Sequence, residues 1–170
     1  KKVGVIGSGP AGVTAAVTAA KRGHNVMLIE KSDIIGGKLM PGGIPKIKYD
    51  IANYRRYLEL LVDKTNKLEN FNYLPNTEAT LPWLEEQKFD TLIFAMGGKE
   101  IIPPFKNMEK ANVVEATEIL QNPNLLKNVK SAMVIGGGVV GCETAYWLKY
   151  EHGLDVSVVE MEKYFMKIGR

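Results

Sequence analysis

The chain has 170 residues, 45% of them hydrophobic and 24% charged, with a formal net charge of +3. That is the make-up of an ordinary globular protein with material for one large or two small cores, and the mild, scattered charge argues against a nucleic-acid partner. The single cysteine, Cys142, excludes an internal disulfide, a Cys-x-x-Cys redox pair and a Cys-only iron–sulfur or zinc site within this chain. No apolar run reaches the roughly 18 residues of a membrane span, so a cytoplasmic location without membrane contact is expected.

The sequence opens without Met at Lys1-Lys2 and enters a strand-like run, Val3-Gly4-Val5-Ile6. It is therefore expected to be a piece of a longer polypeptide. Gly7-Ser8-Gly9-Pro10-Ala11-Gly12 follows, a G-x-G-x-x-G loop, and then a helical stretch rich in small residues. That helix should stop at Gly23, suited to the left-handed position after a helix end. A second apolar run, Val26-Met27-Leu28-Ile29, ends in Glu30.

Residues 36–47 carry Gly36, Gly37, Pro41, Gly42, Gly43 and Pro45 and are expected as an irregular loop. From Ile51 the apolar residues Tyr54, Leu58, Leu61, Val62 and Leu68 fall on one helix face. The basic cluster there, Tyr54-Arg55-Arg56-Tyr57, reads as a solvated helix face rather than a nucleic-acid surface. Phe71 to Leu74 can be a short strand, Leu81 to Gln87 a short helix, and Phe89 to Met96 a buried strand ending at Gly97-Gly98. Pro103-Pro104 breaks regular structure, and Thr117 to Gln121 is a short helix. Residues 99–128 are expected to be a linker.

The opening pattern then returns. Ala132-Met133-Val134-Ile135 leads into Gly136-Gly137-Gly138-Val139-Val140-Gly141, a small-residue helix, Gly153, the run Val156 to Val159, and Glu160. Two copies of strand, glycine loop, helix, strand and acid predict an α/β fold of two Rossmann-type units, 1–98 and a truncated 129–170. In each loop the first glycine permits the tight turn, the second lets backbone approach a pyrophosphate, and the third lets helix pack on strand. The helix N-terminus offers unpaired N–H groups to phosphate, and Pro10 fits its first turn. Glu30 and Glu160 lie about 20 residues beyond their loops, where an acid can accept hydrogen bonds from a ribose diol. Gly137, between the motif glycines, is expected to be merely permissive. His24 and His152 flank the helix-ending glycines and suit the helix dipole. No catalytic acid–base pair and no cluster of metal ligands stands out, which fits a domain whose chemistry belongs to its cofactors.

These residues resemble a known family. Val5-Ile6-Gly7-Ser8-Gly9-Pro10-Ala11-Gly12 with Glu30-Lys31, Gly36-Gly37-Lys38-Leu39, Gly42-Gly43-Ile44-Pro45 and Ile135-Gly136-Gly137-Gly138-Val139-Val140-Gly141-Cys142-Glu143-Thr144-Ala145 is similar to the C-terminal part of the NADH:flavin oxidoreductases built on an old-yellow-enzyme barrel. The 2-enoate reductases, 2,4-dienoyl-CoA reductases and trimethylamine dehydrogenases belong there. The resemblance implies FAD at the first loop, with Gly7, Gly9, Pro10, Ala11 and Gly12 on its pyrophosphate and Glu30 and Lys31 at its adenosine ribose. Gly37, Lys38 and Leu39 would run beside its flavin side, and Ala95 and Gly97 would border the crossover, where Met96 replaces the family's Thr. It implies NAD(H) at Gly136, Gly138, Val139 and Gly141, with Glu160 on its ribose and NADH favoured over NADPH. It further implies an N-terminal barrel with FMN and an iron–sulfur cluster elsewhere in the polypeptide, and an electron relay toward an activated alkene. A later segment marked by Gly-Asp, which in the family returns to FAD, has no counterpart here. The alternatives are a structural module around plain ADP, and an independent NADH oxidase or disulfide reductase; the lone thiol counts against disulfide chemistry in this chain.

Overall fold

The computed structural model describes residues 1–102, 104, 106–108 and 112–166. Of the expected features, Pro103 and the closing Lys167-Ile168-Gly169-Arg170 lie outside the described residues. The chain divides into two compact units: Lys1–Met40 with Asp50–Glu100, and Pro41–Tyr49 with Ile101–Arg170.

The first unit is a four-stranded parallel sheet in the order β3-β2-β1-β4. Its strands are β1 (Lys2–Ile6), β2 (Asn25–Ile29), β3 (Phe71–Leu74) and β4 (Thr91–Phe94). The helix α1 (Pro10–Lys21) links β1 to β2, and α2 (Leu39–Gly42) lies in the glycine-rich stretch. The helices α3 (Tyr49–Thr65) and α4 (Leu81–Gln87) flank β3. The β-branched run of β1 suits a strand covered on both faces, and Val5 and Leu28 are fully buried with Val13 and Ala16 of α1. On α1 the small residues Ala16 and Ala20 share a face with Val13 and Val17, so the helix lies close against the sheet. It ends at Gly23, at φ +82°.

Two expectations in this unit change. β4 is shorter than the Phe89–Met96 run and only partly buried: Leu92 and Ile93 pack against the cores, whereas Thr91 and Phe94 are exposed, Phe94 at 62%. On α3, Leu58 and Val62 reach the core, whereas Tyr54 is exposed and stacks on Tyr57, and Leu68 lies beyond the helix end and is exposed.

The second unit holds β5 (Ser131–Ile135) and β6 (Asp155–Val159), a parallel pair joined by α6 (Val139–Tyr150). Residues 99–128 include α5 (Ala116–Gln121) and a 3-10 turn at Pro123–Leu126. Their Leu120 and Leu126 enter one core with Trp147, Leu148 and Leu154, so this stretch is more than a tether. Ile44 packs on that core, the Lys46 N–H donates to Glu151 Oε1 at 2.7 Å, and Lys48 pairs with Glu143 at 2.7 Å. The glycine-rich stretch thus belongs to two units: α2 begins in the first, and Pro41–Tyr49 belongs to the second.

Candidate functional site

Each unit carries its glycine loop between a strand and the helix that follows, and the three motif glycines differ in what holds them. Gly7 sits at φ +100°, and a Cβ there would lie 2.5 Å from the Ala95 carbonyl oxygen. A Cβ on Gly12 would lie 1.8 Å from the Gly7 carbonyl oxygen. Both positions are closed to larger residues by the fold alone. Gly9 differs: a Cβ there would meet nothing within 4 Å, and its φ of −68° and ψ of 178° suit any residue. Among the described residues nothing requires glycine at 9.

The second loop repeats the arrangement. Gly136 is at φ +102°, a Cβ on Gly141 would lie 1.8 Å from the Gly136 carbonyl oxygen, and one on Gly138 would meet nothing within 4 Å. Gly9 and Gly138 are the N-caps of α1 and α6, and neither has a side chain to satisfy the first-turn N–H groups. A pyrophosphate fits that combination of open space and unpaired donors. Pro10 and Ala11 form the first turn of α1, and Val139 opens α6.

The acids close on the loops. Glu30, just past β2, accepts the Ser8 N–H at 2.9 Å and the Ser8 hydroxyl at 3.0 Å through Oε2. Its Oε1 accepts the Ser32 N–H and hydroxyl, both at 3.1 Å. Burial pushes the carboxyl up, but the backbone and hydroxyl donors of Ser8 and Ser32 outweigh it and hold Glu30 below the ordinary carboxylate value. Glu160, just past β6, accepts the Gly137 N–H at 2.6 Å and the Glu162 N–H at 2.8 Å. Both acids are therefore tied to the residue between the first two glycines of their own loop.

The remaining expected residues fall near the first loop or beside it. A Cβ on Gly37 would lie 3.4 Å from the Gly9 Cα, an ordinary van der Waals contact, so Gly37 passes close to the backbone of the first loop. Leu39 packs on the first core, Lys38 forms an ion pair with Glu100, and Lys31 is exposed next to Glu30. Ala95 presses its carbonyl toward Gly7, and Gly97 turns at φ +72° with open space around it.

Gly137 is not merely permissive. A Cβ there would come 2.2 Å from the Phe165 ring, and the Gly137 carbonyl accepts the Met166 N–H at 2.7 Å. The segment after Glu160 thus folds back on the second loop. Ser8, Ser32 and Phe165 are the functional neighbours that motif reading misses; the one sequence signal for Ser8 is its place between the first two glycines.

Comparison with known proteins agrees with this geometry. A family model described as pyridine nucleotide-disulphide oxidoreductase matches residues 1–169. An NADH oxidase of Thermoanaerobacter brockii is 39% identical over 95% of this chain and 24% of its own length. A cinnamate reductase of Clostridium sporogenes is 35% identical over 99% of this chain and 24% of its own. Among solved structures, a 2-naphthoyl-CoA reductase complexed with 2-naphthoyl-CoA superposes with a TM-score of 0.87 at 34% identity, covering 98% of this chain and 24% of that one. The chain thus spans about a quarter of the length of these relatives.

Proposed function

Because the chain belongs to the pyridine nucleotide-disulphide oxidoreductase family, we propose that it is the FAD- and NADH-binding part of a larger flavin-dependent oxidoreductase. The observation that carries this reading is the open space at Gly9 and Gly138, set between glycines that the fold itself demands. In the first unit, Gly7, Gly9 and Gly12 with Pro10 and Ala11 hold the FAD pyrophosphate at the start of α1. Glu30, ionised at neutral pH, takes the adenosine ribose, with Lys31 beside it, while Gly37, Lys38 and Leu39 border the flavin side and Ala95 and Gly97 border the crossover. In the second unit, Gly136, Gly138, Val139 and Gly141 hold the nicotinamide dinucleotide and Glu160 its ribose. The two nucleotides supply the hydride and electron transfer when bound; the chain binds, orients and sets the local charge.

Glu160 favours NADH. A carboxylate accepts hydrogen bonds from a 2′-hydroxyl and repels a 2′-phosphate. In the rest of the polypeptide we place an N-terminal barrel with FMN and an iron–sulfur cluster, whose ligands a single Cys142 could not supply. The name cinnamate reductase favours an enoate-type alkene as the substrate of the whole protein, and the location we propose is cytoplasmic. Among the described residues no helix is long and apolar enough to cross a membrane.

The test is made on the full-length protein. Released nucleotide should contain FAD, and kcat/KM should favour NADH over NADPH by a ratio that falls in Glu160→Ala. A protein without FAD, a preference for NADPH, or a ratio indifferent to the substitution refutes the assignment.

A further inference from the structure

The Glu30 carboxylate is fully engaged by its own chain. It offers roughly four lone-pair positions, and Ser8 and Ser32 fill them with two N–H groups and two hydroxyls at 2.9 to 3.1 Å. The ribose diol that the proposed function places on Glu30 brings two further hydroxyl donors, so two of the four present donors must leave. The N–H groups are held in place by the backbone: Ser8 lies in the strand-to-helix turn, where its carbonyl accepts the Gly36 N–H at 2.9 Å, and the Ser32 carbonyl accepts the Asn76 N–H at 3.0 Å. The hydroxyls need only a rotation about one side-chain bond.

The Ser8 hydroxyl also has somewhere to go. Ser8 Oγ lies 3.2 Å from the Ile34 carbonyl oxygen, a second acceptor for the same proton. Ser32 Oγ accepts the Ile34 N–H at 3.3 Å. The Tyr73 hydroxyl is buried without a hydrogen-bond partner.

We propose that the Ser8 and Ser32 hydroxyls are stand-ins for the ribose 2′- and 3′-hydroxyls, and that nucleotide binding displaces them from Glu30. The proposal rests on Glu30 being the ribose acceptor and adds that two serines compete with the ribose for it. They keep a half-buried carboxylate solvated by protein, and on binding the Ser8 hydroxyl turns to Ile34. Affinity for the ribose is thereby held below what a bare carboxylate would give. Both are positioning residues, acting on the nucleotide through Glu30.

Calorimetric titration of the full-length protein, freed of nucleotide and carrying Gly138→Val to close the second loop, tests this with ADP, 2′-deoxy-ADP and 3′-deoxy-ADP. The expected result is a preference for ADP over both analogues that vanishes in Glu30→Ala. Each of Ser8→Ala and Ser32→Ala should enlarge one of the two preferences by roughly three- to tenfold, part of one charge-assisted hydrogen bond, and the double variant should enlarge both. Serine variants that weaken ADP binding or leave both preferences unchanged, while Glu30→Ala behaves as expected, overturn the stand-in role and leave the ribose site standing. A chain that does not distinguish ADP from the analogues, or does so regardless of Glu30→Ala, overturns the ribose site and this inference together. Ser32 is half-buried and Ser8 fully buried, so Ser32→Ala decides the matter if Ser8→Ala fails to fold.

Discussion

Substituting the second and third glycines of the first loop should separate binding from folding. In Gly12→Ala the new Cβ meets the Gly7 carbonyl oxygen at 1.8 Å and the Ala95 Cβ at 3.2 Å. Neither can yield freely: Gly7 is held at φ +100° and its N–H bonds the Ile29 carbonyl at 2.8 Å. Overpacking a close contact typically costs about 1–3 kcal/mol and occasionally more, and a backbone neighbour at this distance puts the change at the upper end, about 3 kcal/mol. For a chain of this size that lowers Tm by roughly 6–12 °C, at about 2–4 °C per kcal/mol. In Gly9→Val the side chain enters open space from a backbone that any residue adopts, and losing a glycine from the unfolded chain offsets small clashes. Its Tm should stay within about 4 °C of the parent, while ADP or FAD affinity at the first loop collapses. Thermal melts paired with nucleotide titration read both quantities. If Gly9→Val melts as early as Gly12→Ala, or binds nucleotide like the parent, the division between folding glycines and a binding glycine is wrong.

Two further outcomes follow from the same geometry. Glu30 has a depressed folded-state pKa, so the stability it contributes is present above the unfolded value of about 4.5 and is lost as pH falls through the folded one; acid melts should show a loss below pH ~4.5 that Glu30→Gln abolishes, and an identical acid profile would contradict it. Gly137→Ala should push the Phe165 ring away from the second loop, visible as increased proteolysis after residue 160 with β5 and β6 still folded; an unchanged cleavage pattern would show that Phe165 does not rest on Gly137.

Much of the fold was legible because its signals are local. The strand at Phe71–Leu74 and the helix at Leu81–Gln87 lie where composition and proline put them, and the repeat aligns Gly7, Gly12 and Glu30 with Gly136, Gly141 and Glu160. What failed was whatever depends on neighbours. Phe89 to Met96 reads as a buried strand, yet an apolar run does not say which of its side chains will be covered, and Phe94 is not. Gly137 looked dispensable because its constraint comes from a phenylalanine far along the chain. Ser8 at Glu30 was invisible for the same reason, being 22 residues away, and Ser32, two residues on, was missed because hydroxyls near an acid have no spacing rule. Lys48 and Glu143, 95 residues apart, could not have been paired from sequence at all.

The membership of Pro41–Tyr49 bears on how such a protein could be cut and recombined. The two nucleotide units look like interchangeable cassettes, each a contiguous block. They are not, because the second unit borrows Ile44, Lys46 and Lys48 from inside the coding span of the first. A breakpoint at residue 100 that imported a foreign second half would leave that half without the nine-residue strand of chain that seals α6, and would leave the imported α6 facing a strap shaped for another helix. Crossovers that move 41–49 together with 101–170 keep the partners matched. Chimaeras designed on the linear order of the motifs would instead give up the Ile44 packing and the contacts to Glu143 and Glu151.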